Sequence, residues 1–86
     1  MSKLPFAKAL VSRLSRQRDH ARRLHRGATD KRTRSELHRL AIELAEISAT
    51  LRESPSRDAR FNACELSAAA AILLRQLEAT AAPELS

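Results

Sequence analysis

Apolar residues recur in alternating steps of three and four in three separate stretches of the chain. The middle stretch shows the pattern most clearly, at Leu37, Leu40, Leu44, Ile47 and Leu51. The last stretch has it at Leu66, Ala70, Leu73 and Leu77, and the first keeps it with weaker residues at Leu10, Leu14, Gln17, Ala21 and Leu24. This spacing places each set on one face of an α-helix, and helices packed side by side in a bundle require it.

Two interruptions separate the three stretches. Gly27 is the only glycine and follows a cluster of arginines, which predicts a helix end closed by a glycine in left-handed conformation. Pro55, between two serines, is the second break, because proline disfavours helix in the residue before it. The helix that follows Gly27 has three candidate starts, at Thr29, Asp30 or Thr33. The predicted helices cover residues 5–26, 30–53 and 57–80.

The predicted fold is all-α, a small antiparallel three-helix bundle. It forms a single domain over residues 1–86, with a frayed tail at 81–86. Short turns make consecutive helices antiparallel neighbours. A chain of 86 residues buries only a modest core, so a helix pair completed by dimerisation is the alternative to a closed bundle, and self-association stays open.

A second apolar stripe runs along the last stretch, on a face rotated from the first stripe. It consists of Phe61, Cys64, Ala68 and Ile72. Two stripes on one helix predict two neighbours. Either both neighbours belong to the same closed bundle, or this stripe is an interface for a second copy or for another protein.

Charge is distributed unevenly between the two halves of the chain. Residues 1–39 hold 12 Lys and Arg against 3 acidic residues, a net of +9, while residues 40–86 hold 4 against 7, a net of −3. Such an asymmetry indicates that one end of the molecule meets a polyanion or an acidic partner.

The basic residues of the first helix favour phosphate contacts. On a helical wheel Phe6 shares the apolar side with the leucines, while arginines spread across the opposite side. Each guanidinium offers a planar fork of donors that suits phosphate. The candidate residues for binding nucleic acid or an acidic partner are Arg13, Arg16, Arg22, Arg23 and Arg26, with Lys31 and Arg34 extending the patch beyond the turn.

The chain offers little for catalysis or metal binding. The single cysteine, Cys64, excludes an intrachain disulfide, and we expect it to be a buried structural thiol. His20 and His25 are five residues apart and therefore lack the i, i+4 spacing of helical metal sites. The longest apolar run, residues 68–74, is far shorter than the roughly 20 residues of a membrane span. We expect no enzymatic activity, metal, cofactor or membrane span, and a cytoplasmic location.

These observations predict a small basic protein that associates with nucleic acid. The Arg-rich first helix would bind the phosphate backbone, with little reading of base edges, since it carries no Asn and its one Gln faces the apolar side. The alternative is a protein-binding helical adaptor, such as a co-chaperone or an inhibitor encoded by a mobile element, which docks on a larger complex through its apolar stripes.

Overall fold

Three α-helices build the whole of the described chain. The computed structural model describes residues 6–81, which form α1 (Ala7–Gly27), α2 (Lys31–Glu53) and α3 (Arg57–Ala81). Each helix packs against both others, in a body of 46 × 25 × 17 Å. The predicted antiparallel three-helix bundle is therefore confirmed. Apart from Ala81, which is helical, the predicted frayed tail lies outside the described residues.

Leucines from α1 and α2 supply the largest fully buried apolar side chains of the core. Five of them are fully buried: Leu10, Leu14, Leu37, Leu44 and Leu51. They fall on the predicted faces of their helices, because only those faces carry large apolar side chains at helical spacing. Burial of these side chains is the main favourable contribution to folding in a chain of this size.

The third helix meets its neighbours through a seam that the sequence pattern identified only in part. Its buried residues are Ala63, Ser67, Ala70, Leu74 and Leu77. Of the predicted seam, Ala70 and Leu77 are buried, whereas Leu66 and Leu73 are only half-buried. Residues 68–74 of α3 are all apolar and cover the whole circumference of the helix, so periodicity alone does not fix which side packs inward.

A polar pair completes the contact between α1 and α3. The Gln17 side-chain amide donates to the Ser67 carbonyl oxygen at 2.9 Å, and the Ser67 hydroxyl donates to Gln17 Oε1 at 2.8 Å. Ser67 is 2% exposed, so the mutual bonds satisfy groups that would otherwise be costly to bury. As predicted, Gln17 lies on the inner side of α1. There its side chain is held by the hydrogen bonds to Ser67.

Both ends of α1 differ from the prediction. The helix begins at Ala7, so Phe6 precedes its first turn in an extended conformation and is 82% exposed instead of facing the core. At the other end, Gly27 remains helical and no described residue has a positive φ. Ala28 turns extended, and its N–H donates to the His25 carbonyl at 3.4 Å. The helix therefore closes without a left-handed glycine.

Asp30, the second of the three predicted starts, is the N-cap of α2, which begins at Lys31. Its carboxylate accepts hydrogen bonds from the Thr33 backbone N–H and hydroxyl, both at 2.9 Å. These bonds, the backbone one first, lower the pKa of Asp30 below its ordinary value of 3.8. The cap satisfies one of the helix's free N–H groups and fixes the turn that connects α1 to α2.

The Asp30 cap makes part of the stability depend on pH. Because its folded pKa lies below its unfolded value, the contribution is present above about pH 4 and is lost as pH falls through the folded pKa. We expect Asp30→Ala to lower the midpoint of thermal unfolding at pH 6–7, and the difference from the natural protein to shrink as the pH falls through the folded pKa of Asp30. Asp30→Asn retains a capping oxygen without the charge and should show a smaller loss with little of this pH dependence. A difference between Asp30→Ala and the natural protein that is constant with pH would contradict this role.

Among residues 6–81, none of the helices carries the continuous apolar length that crossing a bilayer requires.

Candidate functional site

Helix α1 is continuous from Ala7 to Gly27 and packs on α2 and α3 through one side. Leu10, Leu14 and Ala21 are buried on that side. The opposite side faces solvent and carries six exposed Lys and Arg residues between Lys8 and Arg26. A rigid helix fixes the relative positions of these charges, which a flexible basic arm would not do.

All seven predicted binding residues are exposed. We call them the basic face: Arg13, Arg16, Arg22, Arg23 and Arg26 of α1, with Lys31 and Arg34 of α2. None of the seven lies within 4.0 Å of a carboxylate of the described side chains. Their guanidinium and ammonium groups are thus available to an external anion.

Few acidic side chains interrupt the basic face. Asp19 is the only acid of α1, and it pairs with the neighbouring Arg18 at 3.3 Å. In the first turn of α2, Arg32 pairs with Glu36 at 3.5 Å. Exposed pairs of this kind contribute little energy and are easily exchanged for other contacts. The local charge therefore stays strongly positive.

The cations of α1 lie along two edges of the helix. On the α3 side, Arg13, Arg16 and Arg23 border a shallow depression together with Gln17 and His20. His20 Nε2 lies 3.0 Å from the Glu78 carboxylate, which links this edge to α3. On the α2 side, the arginines border a deeper groove. The basic face is therefore broad, and it spans more than a single line of contacts.

That groove, which we call the interhelical groove, follows the outer seam between α1 and α2 and encloses about 760 Å³. Its basic wall consists of Arg22, Arg23 and Arg26, and its apolar floor of Leu37, Ala41, Ile42 and Ala45. His25 and His38 also line it, with their ring centroids 6.0 Å apart across the two helices. Asp19 and Glu46 lie at its end farthest from the α1–α2 turn.

The interhelical groove was not predicted from the sequence. Spacing within one helix does not reveal it, because His25 and His38 approach each other only where α1 and α2 run antiparallel. A signal was present in α2, where Ala41 and Ala45 are four residues apart and place small side chains at successive turns of one face. The leucine pattern of α2 indicated the adjoining face of that helix, which shares Leu37 with the groove.

The second apolar stripe of α3 points outward. Phe61 is 52% and Ile72 64% exposed, Ala68 is exposed, and Cys64 is only half-buried against the core. This excludes the alternative in which the stripe packs against a second helix of the same bundle. Cys64 was expected to be buried and is only partly so, because it lies at the flank of the packed seam.

The described residues bring together cations and apolar side chains. This arrangement suits the binding of a partner. No group of three or more His, Cys, Asp or Glu side chains within residues 6–81 is placed to hold a metal ion. Comparisons of the chain with models of known families, with curated proteins and with solved structures find no match.

Proposed function

We propose that the protein associates with nucleic acid and contacts the phosphate backbone through the basic face. The observation that carries this proposal is the exposure of seven cations on a folded scaffold without carboxylate partners among the described side chains. From Arg13 to Arg26 the helix rises about 20 Å at roughly 1.5 Å per residue, a length that passes several phosphates of a strand.

The chemistry of the basic face favours positioning on the backbone over reading of sequence. Arginine guanidinium groups match phosphate oxygens in geometry. The exposed side of α1 lacks the Asn and Gln side chains that pair with adenine edges. The one Gln of α1 is engaged by Ser67. Binding should therefore be electrostatic, weakly selective for sequence and sensitive to salt.

A titration across salt concentrations tests the proposal. We expect a fluorescently labelled 20-base-pair duplex to bind at 50 mM salt, and the affinity to fall about 100-fold at 200 mM, which corresponds to roughly four neutralised phosphates. Fluorescence anisotropy measures the binding at each salt concentration. Absence of binding at 50 mM, or an affinity unaffected by salt, would contradict the proposed function.

A second candidate function is that of a protein-binding adaptor. It is favoured by apolar side chains that phosphate binding does not use, namely Ile42 in the interhelical groove and the outward stripe of α3. Exposed apolar clusters of this kind mark interaction sites in small proteins. The interhelical groove gives this candidate its most specific form.

A further inference from the structure

The interhelical groove suits a helix. We propose that it binds an amphipathic helix of a partner protein, with acidic residues at the end of that helix nearest the α1–α2 turn. The groove runs between two antiparallel helices that form one side of a bundle. A fourth helix laid along it would complete a four-helix arrangement, which is the common way of using such a seam.

The floor of the groove permits close approach of a helix backbone. Ala41 and Ala45 are four residues apart and project small side chains at successive turns of α2. Ile42 is 44% exposed beside them and offers the large apolar surface that an incoming leucine would cover. Small residues at a helix contact bring axes toward the lower end of the usual separation of about 8–10 Å.

The charges of the groove determine what kind of helix fits. Arg22, Arg23 and Arg26 lie near the α1–α2 turn, whereas Asp19 and Glu46 lie at the other end. A complementary occupant therefore carries Glu or Asp near the turn and a basic residue at the far end. Because the C-terminus of a helix holds partial negative charge, we expect that end of the occupant to face the arginines.

The groove and the basic face share three arginines. If the basic face binds nucleic acid, as proposed above, an acidic helix in the groove would cover Arg22, Arg23 and Arg26 and compete with phosphate for them. Such a partner would weaken the nucleic-acid association instead of adding to it. This consequence rests on the proposed function, whereas docking of the helix itself does not.

A designed peptide tests the docking directly. The probe is an 18-residue amphipathic helix with leucines in steps of three and four, glutamates in its C-terminal half and lysines in its N-terminal half. The control peptide has the same composition in an order that removes the apolar stripe. We expect the probe to bind at least tenfold more tightly than the control by anisotropy, and methyl NMR signals of Ala41, Ile42 and Ala45 to shift while that of Ile72 does not.

Matched variants locate the contact. Ala45→Glu places a charged side chain in the floor of the groove, and Ala69→Glu makes the same change on the exposed surface of α3. We expect the first to weaken probe binding at least tenfold and the second to leave it within about twofold. Ile42→Glu provides a second variant at an exposed position should Ala45→Glu lose its helical circular dichroism.

The outcomes separate the two proposals. Equal binding of probe and control peptides, no binding of either, or unchanged binding by Ala45→Glu and Ile42→Glu would overturn the docking site. Displacement of bound duplex by excess probe peptide supports the shared surface. Duplex binding that fails in the salt titration overturns the proposed function alone, because the peptide measurement contains no nucleic acid.

Discussion

Replacement of Arg16, Arg23 and Arg26 by glutamate is expected to abolish duplex binding at 50 mM salt while leaving the helical circular dichroism nearly intact. The three side chains are exposed, so the substitutions remove no core contact. Each reversal removes a phosphate contact and adds a repulsion, and the net charge falls from +6 to 0. We expect a loss of affinity of at least 100-fold, measured by anisotropy. Loss of three phosphate contacts should also reduce the salt slope by about 3 in any binding that remains.

A second triple variant separates the basic face from overall charge. Arg52, Arg57 and Arg75 are exposed outside the basic face, and their replacement by glutamate gives the same net charge of 0. This control should keep most of the affinity, losing no more than about tenfold through the weaker long-range field. Equal losses in the two variants would mean that net charge alone attracts the duplex. Unchanged binding in the first variant would show that the arginines of α1 only keep the bundle soluble.

The three-helix architecture could be predicted from the sequence because the helix-breaking residues and the spacing of the large apolar residues indicate the same helices. Leu37, Leu44 and Leu51 can only face inward on α2, and Pro55 must interrupt the chain. The helix termini were predicted to within about two residues, which is the usual uncertainty of such boundaries. Phe6 was misplaced for a local reason: a helical wheel extended past the true start of α1 assigns a face to a residue that is not helical.

The side of α3 that packs inward and the interhelical groove could not be predicted from the sequence in this way. Ala63 and Leu74 are buried in α3, while Ile72, equally apolar, faces solvent. The inward side of α3 includes Ser67, a polar residue that is buried where it exchanges hydrogen bonds with Gln17 of α1. A hydrogen-bonded pair 50 residues apart leaves no periodic signal in the sequence. The interhelical groove could not be predicted for a similar reason, since its two walls belong to different helices.

The candidate site was predictable from the sequence in part. The exposure of Arg16 and Arg23 follows from their position opposite Leu10 and Leu14, and the sequence predicted it. The sequence did not predict that the cations divide between two edges of α1, because this division depends on where α2 and α3 lie around that helix. This division is what gives the molecule a shallow basic edge on one side and an apolar groove with a basic wall on the other.

Leu44→Ala is expected to remove a large part of the stability of the bundle, whereas Ile72→Ala should remove almost none. Leu44 is fully buried in the core, and truncation of such a leucine costs about 2–5 kcal/mol. A folded chain of 86 residues has a total stability of roughly 4–13 kcal/mol at about 0.05–0.15 kcal/mol per residue. Alanine is the best helix former, so the loss reports packing and not helix propensity. Urea unfolding followed by circular dichroism measures both variants.

Ile72 provides the matched control because it is apolar, helical and 64% exposed. Its truncation should change the free energy of unfolding by no more than about 0.5 kcal/mol, as for other surface positions. A loss below about 1 kcal/mol for Leu44→Ala would contradict the assignment of the core. A large loss for Ile72→Ala that grows with protein concentration would mean that a second copy covers the outward stripe of α3 in solution, since only association makes the stability of a folded chain depend on its concentration.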